Sequence, residues 1–86
     1  MRITWDEPKR KANLDKHGLD FGDIESDFDF DKARLERAGP KRIKAIGKLK
    51  LNGKIVVVIF AALGTEAISI ISVRPASKKE RGAFGG

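Results

Sequence analysis

The single histidine of the chain, His17, is the side chain best suited to proton transfer. It lies in the stretch NLDKHGLDF, directly before Gly18, where the pattern predicts the end of a helix. An imidazole titrates near neutral pH, so it suits the proton transfers of RNA cleavage by a 2′-hydroxyl group. One polar stripe of the same helix carries Lys9, Asn13, Lys16 and His17, and such a stripe could face an anionic ligand. A purely structural role competes, because a protonated histidine in the last turn stabilises the free carbonyl groups and the helix dipole.

A second group of cations follows one predicted strand, within RIKAIGKLKL. Residue alternation places four basic side chains on its solvent side: Arg42, Lys44, Lys48 and Lys50. Their spacing suits contacts with a phosphate backbone, which position a nucleic acid without selecting its sequence. Two structural explanations remain open, an ordinary solvated face and an edge strand that lysines protect from aggregation.

A third group lies where the last predicted strand gives way to the final helix. Arg74 follows a buried strand, a position where a charged residue is unusual and suggests a function. Its planar guanidinium group can neutralise the negative charge that develops in phosphoryl transfer. Glu80 could act as a general base, but its spacing from Ser77 is that of a capping box, which explains it without chemistry. The same segment supplies three more cations for phosphate: Lys78, Lys79 and Arg81.

Composition limits the class of protein. Hydrophobic residues make up 41% of the 86 residues and charged residues 35%, which is typical of one folded domain, predicted here to span residues 1–86. The absence of cysteine excludes disulfides and thiolate metal sites. The longest apolar run, IVVVIFAAL, is too short to span a bilayer, so we expect a cytoplasmic protein without membrane contact. The acidic run DFGDIESDFDFD lacks the ligand order of a calcium loop, and we predict neither a metal site nor a cofactor.

The net charge of +6 is unevenly distributed along the chain. Residues 1–36 hold 7 basic and 10 acidic side chains, whereas residues 37–86 hold 11 basic and 2 acidic ones. The two parts therefore carry −3 and +9. Such a concentration of positive charge favours a nucleic acid as partner, although plain solubility also accounts for it.

Hydrophobic periodicity predicts a small α+β domain. An N-terminal strand over 2–5 precedes a helix that ends at His17, and Asp20 begins a second short helix whose apolar face is Phe21, Ile24 and Phe28. The segment 31–40 is predicted to be a charged, flexible connection. Three strands follow as an antiparallel meander, with a type I′ turn at Asn52–Gly53 and a central strand buried on both faces. A C-terminal helix ends the chain, and we expect all helices on one face of an antiparallel sheet.

Three segments of the chain are similar to the BrnT-type toxins of bacterial type II toxin-antitoxin systems. They are WDEPKRKANLDKHGLDF at 5–21, KRIKAIGKL at 41–49 and ISIISVRPASKKERGAF at 68–84. The resemblance implies a RelE-like ribonuclease fold, RNA cleavage that halts translation, and neutralisation by a BrnA-type antitoxin with a ribbon-helix-helix DNA-binding part. DNA would then be contacted only through the antitoxin complex.

Family positions map onto this chain at the candidate residues already singled out. The resemblance places a lysine-histidine pair on Lys16 and His17, a strand arginine on Arg42, an arginine after the last strand on Arg74, and a glutamate-arginine pair on Glu80 and Arg81. This chain departs from the family pattern at one position, since members commonly have tyrosine where it has Phe84.

Together these observations predict a metal-independent endoribonuclease toxin. The alternatives are a non-catalytic nucleic-acid-binding module and a module that only binds its antitoxin and acts as a co-repressor. The catalytic hypothesis requires that the imidazole and the arginines of distant segments meet in one cleft wide enough for a ribose-phosphate.

Overall fold

A computed structural model describes residues 2–85, which form one sheet with helices packed on it. The strands are β1 (Arg2–Trp5), β2 (Arg34–Gly39), β3 (Arg42–Lys48), β4 (Ile55–Leu63) and β5 (Ala67–Pro75). The helices are α1 (Glu7–His17), α2 (Ile24–Asp27), which is preceded by a 3₁₀ turn over Phe21–Asp23, and α3 (Lys78–Phe84). The α+β class is confirmed.

The sheet has five strands in the order β1-β5-β4-β3-β2. β3, β4 and β5 form the predicted antiparallel meander, with β4 at the centre. β1, however, pairs with β5 in parallel, so the expectation of a fully antiparallel sheet was wrong. Alternating apolar residues identify β1 as a strand but contain no information about which neighbour it joins, or in which direction.

The segment predicted to be a flexible connection contains a strand instead. β2 pairs antiparallel with β3 and forms one edge of the sheet. Its charged residues suggested a loop, but charge on an edge strand also keeps that edge from pairing with other chains. β2 therefore extends the sheet surface on which the basic side chains of β3 lie.

The helices lie on both faces of the sheet, and not on one as expected. The larger apolar cluster includes Phe21, Phe28 and Val58 and lies between the sheet and the 3₁₀–α2 segment. The smaller cluster, around Ile46 and Val57, packs against Phe84 of α3. Ile46 interrupts the row of basic side chains on β3. It is completely buried, because α3 packs against the sheet at this position.

Two turns show where backbone conformation was and was not predictable. Gly18 ends α1 in the left-handed conformation (φ 69°), with its N–H donating to the Leu14 carbonyl at 2.8 Å. The Asn52–Gly53 turn is longer than the predicted type I′ turn. Gly53 alone of the two has positive φ (72°), and its N–H donates to the Leu49 carbonyl at 2.9 Å.

The amide of Asn13 fastens α1 to the exposed edge of β5. β1 pairs with β5 only as far as Ile70, and beyond that point the Asn13 side chain takes the place of a neighbouring strand. Its Nδ2 donates to the Val73 carbonyl at 2.8 Å, and its Oδ1 accepts from the Val73 N–H at 3.1 Å. A further hydrogen bond, from Nδ2 to the Leu19 carbonyl at 3.0 Å, holds the chain just after His17.

Replacing Asn13 with alanine should destabilise the fold. Asn13→Ala leaves the backbone N–H and C=O groups of buried Val73 without hydrogen-bond partners. Each such unsatisfied group costs about 1–3 kcal/mol of folding free energy. We expect urea denaturation to show a loss of ~2 kcal/mol or more in the free energy of unfolding. The matched variant Asn52→Ala, at an exposed turn, should cost less than about 1 kcal/mol. Equal losses in the two variants would contradict the assigned role.

Candidate catalytic and nucleic-acid site

His17 and Arg81 come from distant parts of the chain and line one cavity of about 590 Å³, called here the His17 cavity. It lies between the end of α1, the β3–β4 turn and the β5–α3 connection. Apolar walls are provided by Leu19, Ile55, Val56, Pro75 and Ala76. The polar side chains at this cavity are His17, Asn52, Lys54 and Arg81.

A hydrogen bond to the segment before α3 holds the Arg81 side chain in place. Its Nη1 donates to the Ala76 carbonyl at 3.1 Å. Asn52 accepts a hydrogen bond from the Lys54 N–H at 2.9 Å, which fixes the turn opposite His17. Sequence reasoning missed Asn52 and Lys54 as site residues. Both belong to a turn, and a lysine beside a turn carries no local signal of what it faces in the folded chain.

A second group of charges, called here the Glu80 cluster, joins α3 to β5, β3 and β2. Arg74 grips Glu80 with two parallel hydrogen bonds, Nη1 to Oε1 at 2.6 Å and Nη2 to Oε2 at 2.8 Å. Lys44 Nζ lies 3.1 Å from Glu80 Oε2 and 3.4 Å from Glu36 Oε1. The predicted capping box is confirmed: the Glu80 N–H donates to Ser77 Oγ at 3.1 Å, and the Ser77 N–H donates to Glu80 Oε1 at 2.9 Å.

The electrostatics of this cluster favour fixed charges over proton transfer. The Arg74 guanidinium holds the pKa of the Glu80 carboxyl far below its usual range, helped by the backbone N–H of Ser77 and by Lys44, although burial opposes the shift. The hydrogen bonds to Glu80 in turn raise the pKa values of Arg74 and Lys44. A carboxylate with so low a pKa accepts a proton poorly at neutral pH, so Glu80 fits the role of an anchor for two cations.

The imidazole and the predicted arginines do not all meet in one cleft as expected: Arg81 shares a cavity with His17, whereas Arg42 and Arg74 do not. Arg74, Glu80, Lys44 and Lys79 line a separate cavity of about 340 Å³, so Glu80 and Arg81, although neighbours in α3, face different cavities. Arg42 lines a third cavity, at the β2–β3 hairpin. The remaining predicted RNA-binding lysines are exposed and line none of these three cavities: Lys9, Lys16, Lys48, Lys50 and Lys78.

Three further observations concern the described part of the chain. Within residues 2–85, no three His, Cys, Asp or Glu side chains are grouped so that they could hold a metal ion. No helix in the same range is long and apolar enough to cross a membrane. Phe84 packs in the smaller apolar cluster, so its ring contributes to the packing of α3 on the sheet.

Comparison with known proteins identifies the family. Residues 5–80 match the family model described as "Ribonuclease toxin, BrnT, of type II toxin-antitoxin system". The chain belongs to the BrnT family. Its structure is also similar to the crystal structure of the Brucella abortus ribonuclease toxin BrnT, with 45% sequence identity, a TM-score of 0.77, and coverage of 91% of this chain and 99% of that one. No curated protein gives a significant match. The resemblance inferred from the sequence is thereby confirmed, and this BrnT-family chain is placed among ribonuclease toxins of type II toxin-antitoxin systems.

The depressed pKa of Glu80 predicts a pH-dependent contribution to stability. Glu80→Gln retains the side-chain shape and capping hydrogen bonds but removes the charge, which should lower the free energy of unfolding at pH 7 by about 1–3 kcal/mol. Because the pKa is lower in the folded protein than its ordinary value of 4.5, the contribution is complete above pH 4.5 and is lost as the pH falls toward the folded pKa.

The stability difference between the wild type and Glu80→Gln should therefore shrink steadily below about pH 4.5 in urea titrations. The exposed Glu66→Gln serves as a control with the same change of charge outside the Glu80 cluster. A difference that stays constant from pH 7 to pH 3 would show that the charge of Glu80 contributes nothing.

Proposed function

We propose that this BrnT-family ribonuclease toxin is an endoribonuclease that cleaves RNA without a metal ion and thereby inhibits translation. The observation that carries the proposal is the shared cavity of His17 and Arg81, which are 64 residues apart in sequence. It places the only imidazole of the chain and a guanidinium at the same cavity. Proton transfer and charge stabilisation, the two requirements of phosphodiester cleavage, are thus available in one place.

The proposed reaction uses the RNA's own 2′-hydroxyl as nucleophile. His17 accepts the 2′-hydroxyl proton as the 2′ oxygen bonds to phosphorus, and the bond from phosphorus to the 5′ oxygen of the next nucleotide breaks. The protonated imidazole then gives its proton to that leaving oxygen. Arg81 and Lys54 stabilise the negative charge on the phosphorane. The products carry a 2′,3′-cyclic phosphate and a 5′-hydroxyl end.

The Glu80 cluster supports this reaction from the neighbouring cavity. Arg74 retains donor capacity beyond its two bonds to Glu80, and its side chain is about one-third exposed, so it can bind a flanking phosphate. Glu80 is a positioning residue that holds Arg74 and Lys44 in fixed geometry. We assign the wider RNA-binding surface to the exposed lysines of α1, β3, the β3–β4 turn and α3, namely Lys9, Lys16, Lys48, Lys50, Lys78 and Lys79.

Membership of a type II toxin-antitoxin family implies an antitoxin as partner. We propose a BrnA-type antitoxin with a ribbon-helix-helix part, which would bring the toxin to DNA only within the complex. We propose that the enzyme acts on cellular RNA in the cytoplasm.

One observation favours a second candidate, a non-catalytic module that binds RNA or antitoxin. Arg42, Arg74 and His17 line three different cavities, as a surface that follows a polyanion would also require. Such a module would bind RNA and leave it intact.

Substitution of His17 distinguishes the two candidates. His17→Ala should reduce cleavage of a defined RNA transcript, assayed with EDTA present, by about 10²–10⁴-fold, since proton transfer typically contributes that much. Arg81→Ala should reduce it as well, and Lys32→Ala, at an exposed turn, should leave it unchanged. His17→Ala and Arg74→Ala should also relieve growth arrest without unfolding the domain. Full cleavage by His17→Ala would remove the imidazole from the mechanism, and RNA binding without fragments would establish the module.

Lys54 should act as a phosphate ligand of the His17 cavity. Lys54→Ala should weaken RNA binding and reduce the slope of log affinity against log salt by about one, because one fewer counterion is released. Fluorescence anisotropy at several salt concentrations measures both quantities, with Lys32→Ala as the matched charge control. An unchanged slope would place Lys54 outside the RNA path.

A further inference from the structure

A groove at the edge of the sheet is not used by the proposed reaction. The Leu35 groove, with a volume of about 540 Å³, lies at the β2–β3 hairpin and has an aliphatic floor formed by Leu35, Ile43 and Ala62. Leu35 is 61% exposed, although it lies within a strand. An open apolar floor of this kind is suited to accept a side chain from another molecule.

The rim of the Leu35 groove is positively charged. Arg37, Lys41 and Arg42 line it, and the single carboxylate among the lining residues belongs to Glu36. That carboxylate is already paired, with Arg34 Nε at 2.9 Å and Lys44 Nζ at 3.4 Å. The groove therefore presents uncompensated positive charge around an apolar centre, which complements an acidic segment with an apolar residue in its middle.

The backbone at Lys41 points to a function of its side chain. Lys41 has φ 62°, and it is the only non-glycine residue with positive φ within residues 2–85. It follows Pro40 in the hairpin turn, at a position that normally takes glycine or asparagine because of this conformation. A lysine there is conformationally unfavourable where glycine is not, so the stability of the turn does not account for it.

We propose that the Leu35 groove is the docking site for the antitoxin, which inserts an apolar side chain between the cations while its acidic residues pair with Arg37, Lys41 and Arg42. This proposal depends on the antitoxin partner assigned above. No aromatic ring lines the groove, so it offers no stacking platform for a base, and a peptide fits it better than RNA. The groove shares no lining residue with the His17 cavity, so substitutions in it separate antitoxin binding from RNA cleavage.

The test uses two variants with different chemistry, Leu35→Ser and Lys41→Gly. Binding of the purified, fluorescently labelled BrnA-type antitoxin to the full-length toxin is measured by anisotropy, together with Tm and cleavage of a defined transcript. Each variant should raise the Kd at least tenfold and leave cleavage unchanged, and Lys41→Gly should keep or raise the Tm, because glycine relieves the strained turn. The matched controls are Leu63→Ser, a half-exposed strand leucine outside the groove, and Lys32→Ala; both should bind as the wild type.

Three results would overturn the docking proposal: no binding of the antitoxin by the wild type, wild-type affinity in both variants, or lost cleavage with unchanged antitoxin affinity. The last result would assign the groove to RNA. Failure of the wild type to cleave RNA would instead refute the proposed nuclease function, and the antitoxin measurements would still decide the docking site.

Discussion

The hydrogen bonds between Asn13 and the edge of β5 determine where His17, the proposed proton-transfer group, lies. α1 has few apolar side chains, and its one leucine, Leu14, is 38% exposed, so hydrophobic burial alone cannot hold the helix. Instead, the Asn13 amide reproduces the pairing of a strand with Val73, and Arg10 adds an ion pair with Asp20 at 3.2 Å. His17, one helical turn beyond Asn13, is thereby fixed beside the end of β5. Hydrogen bonds are directional, so they set the position of the imidazole more narrowly than an apolar contact would.

The two charged regions around α3 divide the work that the proposed function requires. On one side of the helix, Glu80 joins Arg74 and Lys44 in fixed hydrogen-bonded geometry, and its low pKa keeps it ionised and therefore a constant partner. On the other side, Arg81 lines the same cavity as His17, the proposed proton-transfer group. This arrangement separates permanent positive charge from proton transfer. It also explains why a carboxylate in the predicted position of a base is better understood as a support.

Patterns within single segments of the sequence predicted most of the helices and strands. They could not predict how distant segments pack together. Gly18 as the end of α1, the Ser77–Glu80 capping box and the buried β4 follow from nearest-neighbour chemistry, and the family resemblance was confirmed. The charged β2 was mistaken for a loop because edge strands and loops share a composition. The direction of β1, the second apolar face around Ile46 and the distribution of the cations over three cavities depend on tertiary packing, which no single segment encodes. The role of Asn13 as a strand substitute was missed for the same reason.

The proposed reaction requires that the scissile nucleotide bind in the His17 cavity. The most direct measurement is an NMR titration of the full-length protein with an RNA oligonucleotide made uncleavable by 2′-O-methyl groups. We expect the side-chain resonances of His17 and the backbone amides of Asn52 and Lys54 to shift together and to saturate at the same RNA concentration. Saturable shifts confined to the Glu80 cluster, with His17 unperturbed, would contradict it.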